Sequence, residues 1–254
     1  MPDHPRLTLL TWNVHSCIGT DRRFDPQRVV HFLKRVHADI VAIQELGWHH
    51  RGKVGFDQFE YLSRETGYHV HEALTKKHDR AHYGNAILTR LPLLKKSEHD
   101  LRLPYRIPRA ALEATFEVEG RPLRVINMHL GLDPWERRDQ VSRLVPMLDA
   151  VPGQPTILMG DTNEWRSEGT ALEELQRRLP RLAAPPSFHT RLPRLRYDRI
   201  YLSREIVLED FDAVRVHEAR LASDHLPVIA RIRLPWKAEA AKPAEAEPAK
   251  GEGG

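Results

Sequence analysis

Thr156-Ile157-Leu158-Met159-Gly160-Asp161-Thr162-Asn163-Glu164-Trp165 places an apolar run directly before two polar side chains. Thr156 to Leu158 reads as a buried strand, and Gly160 as the residue that allows a turn at its end. Asp161 and Asn163 stand two apart, so in extended backbone their side chains point the same way. A carboxylate can take a proton from water while a carboxamide holds an anionic oxygen, a pairing suited to phosphate-ester hydrolysis. Gly, Asp and Asn are also ordinary turn residues, so this run alone decides nothing. Other strand ends repeat the design.

Upstream, Leu7 to Val14 is strand-like and carries Asn13 near its far end. Asp25 and Pro26 then open a helix with Val29, Val30, Leu33 and Val36 on one face. Ile40-Val41-Ala42-Ile43-Gln44-Glu45 follows as a strand apolar enough to be covered on both faces. Strand, helix, strand implies a crossover unit with Asn13 and Glu45 at one sheet edge. A helix over Asp57–Thr66 ends at Gly67, a strand runs from Tyr68 to Leu74, and polar Lys76 to His82 reads as a loop. Tyr83 to Arg90 enters another strand. Arg109–Val118 and Leu123–Leu130 flank Glu119-Gly120 as a hairpin, and a helix opens at Asp133-Pro134. Further on, a helix runs from about Thr170 to Arg178, with strands at Arg196–Leu202, Val207–Val216 and Leu226–Leu234. Residues 1–236 form one catalytic domain in this reading. Residues 237–254, rich in Ala, Glu, Lys, Pro and Gly without apolar periodicity, form a disordered tail.

Composition limits the function classes. The chain has 254 residues, 41% hydrophobic and 29% charged, as in a soluble globular protein. No apolar run approaches the ~20 residues that span a bilayer. The lone Cys17 excludes an intrachain disulfide and fits a reducing, cytoplasmic setting. A monomer is expected. The net charge of +4 favours anionic partners, nucleic acid or phospholipid headgroups, without choosing between them. Basic clusters at Lys76-Lys77, Lys95-Lys96, Arg137-Arg138 and Arg191 to Arg199 serve as solvated faces or binding patches alike.

The polar residues at strand ends are Asn13, Glu45, Asn127, His129, Asp161, Asn163, Asp198, Asp224 and His225. Side chains converging from several strand ends onto one rim are how α/β sheets build active sites. Zinc is disfavoured, because there is no thiolate group and the histidines lack ligand spacing. Hard oxygens such as those of Glu45 and Asp224 suit Mg²⁺ or Mn²⁺, which points to metal-assisted phosphoryl transfer to water.

Trp12-Asn13, Gln44-Glu45, Asn127-Met128-His129-Leu130-Gly131, Gly160-Asp161-Thr162-Asn163 and Ser223-Asp224-His225 resemble, in order, the motifs of the endonuclease/exonuclease/phosphatase superfamily. The resemblance runs from about Leu7 to Leu234. It implies an α+β fold like deoxyribonuclease I, a four-layer α/β/β/α sandwich of two mixed β-sheets flanked by helices. It also implies a Mg²⁺-dependent phosphoesterase acting on phosphodiesters of nucleic acid or a phospholipid. A phosphate-monoester phosphatase and a catalytically silent binding module of the same fold are the alternatives. By position, Glu45, Asn13 and Asp224 resemble the metal residues. Asp161 resembles the residue that orients the attacking water, Asn163 a phosphate-oxygen ligand, and His225 with Asp198 a charged histidine pair. His129 falls near the leaving oxygen, and Arg109, Asn85 and Asn127 are the substrate-binding candidates. The chain departs from two subclasses: inositol phosphatases carry Trp-Cys-Asp-Arg where Arg196-Tyr197-Asp198-Arg199 stands, and abasic endonucleases carry Thr-Lys where Leu46-Gly47 follows Glu45.

Overall fold

A computed structural model of the chain describes residues 4–47, 55–78, 81–166 and 168–236. The tail from 237 onward, His49 and His50 lie outside the described residues. Twelve strands form two six-stranded sheets among the described residues.

The first sheet is built on β1 (Arg6–Asn13) and β2 (Ile40–Gly47), which run parallel with Asn13 opposite Gln44. The helix α1 (Pro26–Val36) connects them. Its entry follows the expected chemistry: the Asp25 side chain accepts the Gln27 N–H at 3.2 Å and Pro26 takes the first helical position. β3 (His69–His78), β4 (Ala81–Thr89), β11 (Val207–Ala213) and β12 (Val228–Arg233) complete the order β11-β12-β1-β2-β4-β3. The second sheet has β5 (Leu93–Asp100), β6 (Ala110–Val118), β7 (Arg121–His129), β8 (Thr156–Asp161), β9 (Arg181–Ala183) and β10 (Asp198–Leu202) in the order β5-β6-β7-β8-β10-β9. Its parallel pair is β7 with β8, joined through α3 (Pro134–Asp149). Each sheet thus centres on one crossover unit, and both units deliver polar residues at their strand ends.

Side-chain alternation decides the layers. Leu7 and Leu9 of β1, Ile40 and Ala42 of β2, Leu112 and Phe116 of β6 and Ile157 and Met159 of β8 meet in the core between the sheets. On the opposite face of the first sheet, Leu10, Trp12, Val41 and Ile43 pack under α1, α2 (Gln58–Thr66) and α5 (His217–Ala222). The outer face of the second sheet packs Ile126, Met128 and Leu158 against α3 and α4 (Leu172–Arg178). The result is the expected four-layer α/β/β/α sandwich. No helix among the described residues is long and apolar enough to cross a membrane.

Several local expectations change. Lys76 to His78 and Ala81 to His82 are strand where a loop was expected, with Lys76 pairing with Tyr83 and Lys77 with His82 between β3 and β4. The exposed, lysine-bearing strand β5 also escaped the sequence reading. Both sit at sheet edges, where polar side chains are compatible with backbone pairing and guard against further strand addition. Gly160 lies inside β8 rather than at a turn, with φ 148°. A Cβ there would stand 1.8 Å from the Met128 carbonyl oxygen, so glycine permits the close approach of β7 and β8. Asp133 precedes α3 as expected, but its carboxylate makes no cap hydrogen bond and pairs with Arg106 at 3.1 Å.

Candidate active site

At the end of β1 the chain turns through His15, Ser16 and Cys17, all with positive φ. Asn13 Oδ1 accepts the His15 N–H at 3.0 Å, which settles the orientation of the carboxamide. Its Nδ2 therefore faces outward, donating to Glu45 Oε1 at 3.2 Å and Asp161 Oδ2 at 3.0 Å. The second of these bonds crosses from one sheet to the other.

Glu45 reaches the same place through a distortion. The β2–β4 register shifts between Ile43 and Leu46, and Glu45 takes φ 56°. A bulge re-aims a side chain that would otherwise follow the pleat, and a non-glycine residue held at positive φ is characteristic of functional sites. The Tyr83 hydroxyl donates to this carboxylate, and burial together with Glu45 pushes the phenol well above its ordinary range. The sequence reading placed Tyr83 only at the start of a strand. Its pairing opposite Gly47 is long-range and leaves no local signal.

Asp161 is the hub, only 1% exposed. Its Oδ1 accepts the Asn163 N–H at 2.8 Å, so a side-chain-closed turn, not strand alternation, brings the two residues to one rim. Oδ2 receives Asn13 and lies 3.5 Å from His129 Nε2 and 3.7 Å from His225 Nε2. Burial opposes the charge on this carboxylate, yet His225, His129 and the Asn13 and Asn163 donors together hold it below the usual range.

His225 bridges two carboxylates. Nδ1 meets Asp198 Oδ2 at 2.9 Å, while Nε2 faces Asp161. Asp198 also accepts the Ser187 hydroxyl at 2.5 Å, and the Phe188 ring packs 4.8 Å from the imidazole. Burial alone would lower the histidine, but Asp198 and Asp161 outweigh it and raise it to about 10. His225 is thus cationic at neutral pH. One nitrogen of His225 and one oxygen from each of Asp161 and Asp198 lie within 4.8 Å of one another.

His129 is oriented from behind. Arg109, 4% exposed, places Nη1 2.9 Å from His129 Nδ1. An arginine can only donate, so Nδ1 offers its lone pair and the ring proton is assigned to Nε2, toward Asp161 and Glu45. Asn163 Nδ2 packs 3.1 Å from this nitrogen and donates to the Leu130 carbonyl at 3.0 Å. Behind the loops, buried Glu164 holds Arg137 at 2.7 Å, and Arg137 donates to the Leu132 carbonyl.

Of the residues expected at the site, Asn13, Glu45, His129, Asp161, Asn163, Asp198 and His225 converge, and Arg109 joins them through His129. Asp224 shares the turn of His225, its Oδ1 accepting the Ser223 hydroxyl at 3.3 Å and lying 3.8 Å from His15 Nδ1. Two expectations are corrected. Asn127 is fully buried, donating to the Ile43 and Ala86 carbonyls and accepting from Gln44, so it ties the sheets together and is closed to substrate. Asn85 is 3% exposed and donates to the Ala110 carbonyl at 2.9 Å, which fastens β4 to the start of β6. Both side chains follow the strand pleat into the interior, a direction that spacing near a strand end does not reveal.

The donor set fits a hard divalent cation better than zinc. Glu45 and Asp224 supply partly exposed carboxylate oxygens, at 18% and 30%, beside a buried array of acids and imidazoles. Asn13 fits less directly, because its oxygen already serves His15.

A model described as "Endonuclease/Exonuclease/phosphatase family" matches residues 10–225. The chain is 26% identical to the uncharacterized protein YbhP of Escherichia coli strain K12, covering 92% of this chain and 100% of that one. Its fold is similar to a Bacteroides thetaiotaomicron mannosyl-6-phosphatase, with a TM-score of 0.72, 18% identity and coverage of 89% and 99%. It is also similar to D. rerio TDP2 complexed with a single-strand DNA product, with a TM-score of 0.69, 18% identity and coverage of 90% and 99%. The strand-end motifs, the two-sheet architecture and the match over most of the chain agree, and the protein belongs to the endonuclease/exonuclease/phosphatase family.

Proposed function

We propose that this chain is a Mg²⁺-dependent phosphodiesterase that hydrolyses its ester by in-line attack of water. The observation that carries the reading is the Asp161 carboxylate, buried, ionised and shared among Asn13, His129 and His225 from separate strand ends. Such a carboxylate orients the attacking water and takes up its proton. His225, held cationic by Asp198, stabilises charge developing on the phosphoryl oxygens. Asn163 borders the same space with its carboxamide. His129, with its proton directed toward the rim by Arg109, is placed to donate a hydrogen bond to the leaving oxygen. Glu45 and Asp224, with Asn13 beside them, would hold Mg²⁺ or Mn²⁺, which supplies Lewis-acid polarisation of the phosphoryl group. The diester is the reading put to the test, with the phosphate monoester as its alternative.

The test compares bis(p-nitrophenyl) phosphate with p-nitrophenyl phosphate, in Mg²⁺ and in EDTA. Turnover of the diester in Mg²⁺, abolished by EDTA and lowered roughly 10²-fold or more in Glu45→Gln and His225→Ala, is expected. An inert protein, or full activity in both variants, would falsify the reading. Faster turnover of the monoester would instead assign a phosphatase.

A further inference from the structure

Ten large hydrophobic residues are exposed among the described residues, and six of them sit on segments bordering the site: Tyr105, Ile107, Leu132, Trp165 and Leu192 on loops and Trp135 in the first turn of α3. Their loops are built into the site. Leu132 lies three residues past His129, and its carbonyl is held by Arg137, whose partner Glu164 immediately precedes Trp165. Tyr105, Ile107 and Leu132 line one cleft with Arg106, Arg109, Asp133 and Glu136, and the Arg106 guanidinium lies 4.9 Å from the centroid of the Trp135 ring.

Two of these loops share a composition. Leu101-Arg102-Leu103-Pro104-Tyr105-Arg106-Ile107-Pro108-Arg109 and Arg191-Leu192-Pro193-Arg194-Leu195-Arg196 alternate apolar residues with arginines and contain no carboxylate. Both are closed at the base, through Leu101 N–H to the Arg109 carbonyl at 3.1 Å and Ser187 N–H to the Leu195 carbonyl at 2.9 Å. Both are anchored at the site. Arg109 touches His129, and in the second loop Thr190 N–H donates to the Asp224 carbonyl at 2.8 Å. The arginines of the first loop have surface partners, Arg102 with Asp100 and Arg106 with Asp133. Those pairs are solvent-exposed and weak, so an anionic surface can compete for the guanidinium groups.

Short apolar tips flanked by arginines and interfacial aromatics have a physical match. Leucine and isoleucine enter hydrocarbon, tryptophan and tyrosine settle at headgroup depth, and arginine meets lipid phosphate. A single-stranded nucleic acid would use ring faces for stacking. Three of the six side chains, Ile107, Leu132 and Leu192, offer none, and beside Tyr105 and Trp165 the third ring, Trp135, has one face engaged by Arg106.

We propose that the rim of the site is a docking surface for an anionic phospholipid bilayer, which presents the phosphoester to the catalytic residues. The docking clause stands on the surface alone; the substrate clause rests on the phosphodiesterase reading above. Vesicles of phosphatidylcholine, with and without phosphatidylglycerol, separate the two. The full chain is expected to sediment with the anionic vesicles and to be released by salt. Its tryptophan emission should be quenched by lipids brominated in the acyl chain, with most of that quenching lost in Trp135→Phe with Trp165→Phe. Leu132→Ser combined with Leu192→Ser should weaken partition roughly tenfold or more, while turnover of soluble bis(p-nitrophenyl) phosphate stays unchanged. Protein left in the supernatant with anionic vesicles overturns the proposal, as does binding indifferent to the leucine substitutions. Binding to a single-stranded oligonucleotide that is lost in the leucine variant, without vesicle partition, assigns the surface to nucleic acid instead. Vesicle binding by a protein inert toward the soluble ester leaves docking intact and removes the phosphodiesterase reading.

Discussion

A histidine between two buried carboxylates behaves unlike a histidine in water, and that difference dominates the chemistry of single residues in this protein. Asp198 at 2.9 Å and Asp161 at 3.7 Å raise His225 to about 10 despite its burial. The imidazolium form is therefore favoured in the folded state, and the associated stability is complete below the unfolded value and lost as pH rises from there through the folded one. Replacing Asp198 with Asn removes the nearer charge. The His225 ring should then titrate lower by NMR, and kcat should fall roughly 10²- to 10⁴-fold with less change in KM. An unchanged titration would mean that Asp198 is a packing residue. Arg109 poses a separate question at the same scale. Arg109→Met deletes the donor to His129 Nδ1 and should lower kcat more than KM, because the ring loses its fixed tautomer.

Strands and their ends carry the next level of organisation. The bulge in β2 turns Glu45 outward, and the Asx turn after β8 places Asn163 beside His129. Both are departures from ideal strands at the points where polar side chains are needed. Farther from the site, Glu113 of β6 accepts Arg124 Nε at 2.6 Å and His99 Nε2 at 2.6 Å, and Arg124 donates to the Met147 carbonyl at the end of α3. This links β5, β6, β7 and α3. Burial opposes ionisation of Glu113, but His99 and Arg124 prevail and depress it to about 2. A depressed carboxylate contributes stability above its unfolded value and loses it as pH falls toward the folded one. The unfolding free energy from urea titrations should therefore drop between about pH 4.5 and 2 more steeply in the wild type than in Glu113→Gln, by of the order of 2 kcal/mol after screening.

For the molecule as a whole, the two sheets share one core. Phe116 of the second sheet and Ile40, Ala42 and Val228 of the first belong to the same buried cluster, and the Asn127 carboxamide fastens the sheets with three hydrogen bonds. Because that interface also sets the distance between Asn13 and Asp161, stability and site geometry are coupled. Phe116→Ala should cost about 3–5 kcal/mol and unfold both sheets in one transition, followed by coincident near- and far-ultraviolet circular dichroism. Separate transitions would mean that the sheets are independent. The net charge of +4 is modest, and the arrangement of arginines around the rim matters more than that total.

Periodicity and turn chemistry in the chain were sufficient for the two crossover units, the β6–β7 hairpin, the α1 and α2 boundaries and the order of the polar strand ends. These are local: an apolar run, a capping Asp, a Gly at a helix end. Edge strand β5 and the outer end of β3 were not legible, because backbone pairing at an edge places little demand on side chains. Tertiary structure alone decided which strand-end residues face the rim. Asn127 stands two residues before His129, yet one side chain ties the core and the other joins the site. Tyr83, Ser187 and the Arg109–His129 contact depend on partners distant in sequence, and no local pattern encodes the angle at which two sheets bring such partners together.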